Sequence, residues 1–244
     1  MKQLELTGFV VSRKNLKDSD KIITVFTREK GKVSIVAKGI KKPKAKLQAH
    51  IEPLVESRFR VIKSGRMPVL VGAQGLRRNE FFGSTTESSL AGLFLTEVVD
   101  RFSAEELTNE VLYEAYKQSL DLLLESDKTS LMLTFSILNI LKSLGLEPHI
   151  SFDGEGQKAY FNLPDGEISK SSAEGESVLV NKDLVKLWKV CMGQPPQVVI
   201  KLVVDNNILS SSLNLLLSYL QYNMDSKIKS IKVLSEGTNL LQAG

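Results

Sequence analysis

Five lysines stand within nine residues, Lys38, Lys41, Lys42, Lys44 and Lys46, in a stretch that holds no acid. Ammonium groups packed this densely are point charges suited to the phosphates of a polyanion. Gly39 and Pro43 lie inside the stretch, so it reads as a loop that can follow a backbone without a fixed geometry. The wider charge distribution agrees. Residues 1–80 carry 19 Lys and Arg against 7 Asp and Glu, whereas the remainder carries 13 against 21. A basic first third on a mildly acidic body points to nucleic acid before membrane. Arg13 and Lys14 extend the basic set, with further cations at Lys17, Lys21, Arg58, Arg60, Lys63, Arg77 and Arg78. Lysine outnumbers arginine here, which favours backbone contacts over bidentate reading of bases.

Other chemistry is sparse. His50 and His149 are the two histidines, and neither has a cysteine or carboxylate at metal-ligand spacing. There is no G-x-x-x-x-G-K-[ST] phosphate loop. Asp18 and Asp20 flank Ser19; a metal-dependent nuclease could use such a pair, but a turn at a strand start needs the same residues. Cys191 is the single cysteine, so an internal disulfide is impossible, and its neighbours Val190 and Met192 mark it as a buried thiol. No catalytic set emerges, and the expectation is a protein without enzyme activity, small-molecule substrate or cofactor. No apolar run approaches the roughly 20 residues of a membrane span, and neither a secretory signal nor a membrane partner is expected. The chain reads as cytoplasmic and nucleoid-associated.

The elements that position the basic residues follow from periodicity. Residues 4–7 alternate, and the pattern shifts phase at Phe9-Val10-Val11, which predicts a bulge or bend at Gly8. Residues 21–27 and 33–37 form a predicted hairpin around Glu29-Lys30-Gly31-Lys32, and residues 54–62 and 69–73 two further strands. Five short strands in this length suit a small closed barrel of the oligonucleotide/oligosaccharide-binding (OB) type. Phe9, Phe26 and Phe59 fall on these strands and are expected to fill the core rather than stack on bases. Helical spacing then takes over: Leu90, Leu93, Phe94, Val98 and Phe102; Leu112, Tyr116, Leu120 and Leu123; Leu131, Phe135, Leu138 and Leu141. Residues 150–178 break the pattern with turn chemistry around one short strand at 159–163, and helices resume at 182–192 and 211–224.

The fold class expected is therefore α+β: a five-stranded OB barrel over 1–80, helices over 81–149, a small insertion over 150–180, and helices again over 181–244. Several stretches resemble the bacterial RecO family of DNA repair proteins. Gly8-Phe9-Val10-Val11-Ser12-Arg13, then residues 18–32 from Asp18-Ser19-Asp20-Lys21 to Lys30-Gly31-Lys32, then Val36-Ala37-Lys38-Gly39-Ile40-Lys41-Lys42-Pro43-Lys44 are similar to its opening, in order and at its spacing. Residues 95–102 resemble its first helix, residues 138–148 its third helix and exit, and residues 217–234 its C-terminal end.

That resemblance implies an OB barrel, a helical domain and an inserted segment that often carries four zinc-binding cysteines. This chain has no cysteine between Ile150 and Val178, and His149, Asp153 and Glu155 are too few and too hard to replace that site, so a zinc-free insertion is expected. The resemblance further implies a mediator that binds single- and double-stranded DNA, anneals complementary strands and assists RecA loading on DNA coated by single-stranded-DNA-binding protein (SSB), together with RecR. DNA contacts are expected at Arg13, Lys14, Lys38, Lys41, Lys42, Lys44 and Lys46. An acidic SSB tail would need a basic rim around an apolar pocket, and Arg101 and Lys142 are candidates for it, with Lys227, Lys229 and Lys232 as further cations. The alternative is an RNA-binding or ribosome-associated OB protein, which contacts to the 2′-OH would distinguish.

Overall fold

A computed structural model describes residues 3–17, 19–40, 48–63, 65–76, 84–151, 158–170, 176–224 and 226–237. The chain divides into two compact units, Met1–Thr85 with Gly92–Glu114, and Thr86–Ala91 with Ala115–Gly244.

In the first unit, β1 (Gln3–Lys17), β2 (Asp20–Thr27), β3 (Gly31–Ala37), β4 (Glu56–Ile62) and β5 (Val69–Gly75) close into a barrel in the order β1-β2-β3-β5-β4. Closure depends on the length of β1. Its first half pairs with β4 from Gln3 to Phe9, and its second half pairs with β2 from Gly8 to Lys17. Gly8 sits at the handover, paired with both Thr27 and Ser57. A Cβ there would run into the carbonyl oxygen of Phe26, so the close approach requires glycine. The bulge itself falls between Val10 and Ser12 rather than at Gly8. Phe9 and Val10 are both apolar because β1 is covered on both faces here: Val10 fills the barrel and Phe9 packs on Tyr113.

Leu6, Val10, Ile23, Val25, Ile35, Phe59, Val61 and Leu70 make the barrel core, joined by Ile40 and Ile51 from the loop after β3 and a short 3-10 turn at Gln48–Ile51. Fully burying each of the large side chains contributes roughly 1.5–3 kcal/mol. The unit is completed by α1 (Thr86–Phe102) from Gly92 onward and by the first turn of α2 (Glu110–Glu125).

The second unit holds the rest of α2, α3 (Thr129–Ser143), α4 (Lys182–Gly193), the single turn α5 (Pro196–Val199), α6 (Asn206–Tyr222) and α7 (Ser230–Gly237). Eleven residues of α3 are buried, so it is central to this unit rather than edged by one stripe. It stops at Gly145 (φ 71°), where the N–H of Leu146 returns to the carbonyl of Leu141 at 2.9 Å. α6 begins before the expected Ser211, because Asp205 caps it by accepting the N–H of Asn207 at 2.8 Å.

The insertion is a four-stranded sheet, not a lone strand. β6 (His149–Ile150), β7 (Ala159–Asn162), β8 (Glu167–Ser169) and β9 (Ser177–Val180) lie in the order β6-β8-β7-β9. Strands of two to four residues are too short for alternation to register in the sequence. Phe161 anchors the sheet. Its ring meets Trp188 of α4 edge-on at 5.4 Å and Tyr219 of α6 at 5.2 Å, and the Trp188 indole N–H donates to Ser212 at 2.7 Å. Gly166 (φ 62°) makes the turn before β8, beneath the Tyr219 hydroxyl, where no Cβ would fit. Aromatic packing thus holds this cysteine-free segment, each such pair adding roughly 0.5–1.5 kcal/mol beyond area burial.

Candidate nucleic-acid interface

Strand alternation sorts the barrel's basic residues between its two sides. Arg13 pairs with Ile23, and Ile23 with Ile35, a row that faces the core. One residue on, Lys14 pairs with Ile22, Ile22 with Val36, and Val36 with Val69 of β5, a row that faces outward. Ser12, Thr24 and Ser34 form the neighbouring outward row. Lys14 is exposed and the other residues of the two outward rows are half-buried, so this stretch of β1, β2, β3 and β5 is an open face.

The other end of the same face is closed. Phe26 pairs with Phe9 and Lys32, and all three are covered by the segment 92–114. The Tyr113 ring lies 5.7 Å from both Phe9 and Phe26. Its hydroxyl donates to the buried carboxylate of Glu56 at 2.9 Å. Burial, and then the Glu56 charge, push the Tyr113 hydroxyl well above its usual range and keep it a neutral donor. Arg28 lies over the Tyr113 ring at 5.9 Å and pairs with Glu110 and Glu114. The Lys32 ammonium donates to the Asp100 carbonyl at 2.5 Å. Phe9, Phe26 and Phe59 are 3%, 0% and 0% exposed, so none is available to stack on a base.

Cations ring the open end. Lys38 is exposed directly after β3. Gly39 follows in the left-handed region (φ 64°), and its N–H donates to Asp20 Oδ1 at 2.7 Å. Asp20 therefore has a structural task at the root of the basic loop; Asp18 lies outside the described residues, and no group of three metal-competent side chains gathers among those described. Lys63 and Arg66 are exposed in the turn between β4 and β5, which joins Ile62 and Val69, themselves register partners. Lys41, Lys42, Lys44 and Lys46 lie outside the described residues, but their flanks are fixed by the buried Ile40 and Ile51.

Arg13 is placed differently. Its guanidinium donates to Glu52 at 2.6 Å, with the two side chains 30% and 36% exposed. Glu52 lies 39 residues away in the chain, and no sequence pattern announces the pair. Also invisible to motif reading is the apolar floor of the open face. Ile22 and Ile23 look like one continuous run, yet they point to opposite sides.

His50 Nδ1 accepts the Gly75 N–H at 3.1 Å, and His149 stands exposed in β6. Burial pushes the Cys191 thiol up to about 12, so it stays a protonated core group. Arg101 is exposed on α1 in the first unit, within 3.3 Å of Glu97. Lys142 is exposed in the last turn of α3, in the second unit. The second unit also holds a groove of about 740 Å³ between α6 and α7, floored by Leu217, Ile228 and Ile231 and rimmed by Lys227 and Lys232. No helix among the described residues is long and apolar enough to cross a membrane.

A closed five-stranded barrel with a basic open face, joined to a helical unit, defines the architectural class. Comparison with known proteins narrows it. The family model for the N-terminal part of recombination protein O matches residues 1–77, and that for its C-terminal part matches residues 84–232. Similar curated proteins share the name DNA repair protein RecO. That of Pelotomaculum thermopropionicum is 24% identical over 96% of this chain and 94% of its own length. That of Desulforamulus reducens is 23% identical over 98% and 100%. A shorter match to the protein of Syntrophomonas wolfei reaches 29% over 67% of each chain. The chain belongs to the RecO family, and its barrel is that family's OB domain.

Proposed function

We propose that this protein is a DNA-binding recombination mediator in DNA repair, acting without catalytic residues of its own. The observation that carries the proposal is the open barrel face, whose exposed lysines, Lys14 and Lys38, stand beside the half-buried Ile22, Val36 and Val69. Phosphates would engage the lysines while sugars and base edges lie over the apolar floor. With no exposed aromatic among the candidate strands, binding would depend little on sequence and strongly on salt. Lys41, Lys42, Lys44 and Lys46 would continue the track beyond Lys38. Arg13 joins only when Glu52 releases it.

Annealing follows from the same electrostatics. Two strands repel through their backbones, and a cationic surface between them lowers that repulsion and releases counterions. RecR and the SSB tail are the proposed protein partners, and RecA loading on SSB-coated DNA the proposed outcome. An acidic, apolar-ended tail matches in chemistry the lysine-rimmed groove between α6 and α7, and Arg101 and Lys142 are the other proposed contacts for it.

The test is annealing of complementary strands precoated with SSB, with and without the protein. Acceleration is expected, and reversal of Lys41, Lys42, Lys44 and Lys46 to Glu is expected to abolish it. No acceleration by the wild-type protein refutes the reading, and preference for RNA over DNA oligomers of equal length would favour an RNA-binding role instead.

A further inference from the structure

The basic residues of the barrel occupy two faces, not one. In β4, Ser57, Phe59 and Val61 point into the core, so Arg58 and Arg60 stand on the outer side, both exposed. Their cross-strand neighbours are Thr7 and Glu5 of β1 and Gln74 and Gly72 of β5. β4 is separated from β2 and β3 by β1 on one side and β5 on the other, so its outer side turns away from theirs, and it adjoins the open face only at its end, where Ile62 pairs with Val69.

Three features suit the outer side of β4 to a phosphate backbone. First, residues two apart on a strand stand about 6.6 Å apart on the same face, a separation comparable to that of successive phosphates on an extended single strand. Second, Gly72 leaves room for Arg60. A Cβ there would come within 2.8 Å of Arg60 Nη2, so glycine lets the guanidinium lie along β5. The register slips beside it, between Arg60 and Val61, and leaves Val71 as the extra, 44% exposed residue at the edge of the same patch. Third, neither arginine is within ion-pair distance of a carboxylate among the described residues, although Glu5 is the register partner of Arg60. By contrast Arg13 and Arg28 in the same unit are both held by glutamates. Arginine is the side chain whose fork matches phosphate oxygens in pairs.

We propose that Arg58 and Arg60 form a second polynucleotide-backbone site, which holds one strand on β4 while the other lies on the face of Lys14 and Lys38. This rests on the DNA-binding function proposed above and gives it a geometry: one barrel carries two backbones on two faces and shields each from the other.

The experiment uses the full chain and two non-complementary single-stranded oligonucleotides, one labelled with a donor and one with an acceptor fluorophore, at protein excess too small for crowding. The wild-type protein is expected to bring both labels together. Arg58→Ala with Arg60→Ala should bind a single oligonucleotide within about twofold of wild type, lose the energy transfer, and anneal complementary strands at least about tenfold more slowly. The salt slope for the second strand should fall by about 1.4, two contacts at roughly 0.7 each. Both side chains are exposed, and an unchanged thermal melt checks the fold. Energy transfer retained by the variant overturns the proposal. So does a tenfold loss of affinity for the first strand, which would make β4 part of a single continuous track, or loss of binding to an acidic protein with strand bridging intact. A wild-type protein that binds no DNA refutes the function proposed above; one that binds a strand but never bridges two refutes only this inference.

Discussion

The main-chain N–H of Gly39 donates to the carboxylate of Asp20 at 2.7 Å, tying the exit of β3 to the start of β2. Lys38 is thereby held at the end of β3, one residue past Ala37, the register partner of Lys21, and the lysine-rich loop leaves the barrel from a defined root. A hydrogen bond to a charged acceptor contributes roughly 1.5–3 kcal/mol. Asp20→Ala should therefore lower the unfolding free energy by about 1.5–3 kcal/mol, read by urea denaturation. Asp20→Asn keeps an acceptor and should lose less than half as much. Equal losses in the two variants would show that charge, not the bond, matters at this position.

The Tyr113 hydroxyl, donating to buried Glu56, closes the far end of the face. Tyr113→Phe removes that donor inside the protein and should cost about 1–3 kcal/mol. A pH effect accompanies it. The folded hydroxyl titrates above its ordinary value of 10, so the unfolded chain releases its proton first as pH rises. The contribution of Tyr113 is thus complete below pH 10 and is lost progressively above it. Wild-type stability should fall more steeply above pH 10 than that of Tyr113→Phe; parallel curves would place the hydroxyl in solvent.

Glu52 holds Arg13 by a partly exposed ion pair, and such pairs contribute about 0–1 kcal/mol. A phosphate can compete for that arginine at little cost. Glu52→Gln should tighten binding of single-stranded DNA and steepen its salt dependence by about 0.7, the share of one added contact. Adding Arg13→Ala should erase the gain. Tighter binding that survives loss of Arg13 would attribute the effect to net charge alone.

The sequence made the barrel, the three long helices α1 to α3 and the concentration of cations legible, because each rests on a local pattern. The hairpin of β2 and β3 is written in the alternation around Gly31. What escaped is set by non-local contacts. Phe9-Val10 resembles a slip in phase, yet it records two covered faces, one of them supplied by Tyr113 from a helix a hundred residues on. β6, β8 and β9 are stabilised as a sheet by Phe161 against Trp188 and Tyr219, not by their own composition. Arg13 and Lys14 look equivalent as neighbours in sequence. Alternation puts one on the core-facing row against Glu52 and the other on the open face.

The most direct measurement is the equilibrium binding of a single-stranded oligonucleotide across a salt series, comparing wild type with Lys14→Ala combined with Lys38→Ala. If the open face is the primary DNA track, the variant binds more weakly at every salt concentration, and its slope of log affinity against log salt is shallower by about 1.4. An unchanged affinity and slope would contradict the assignment of that face to DNA.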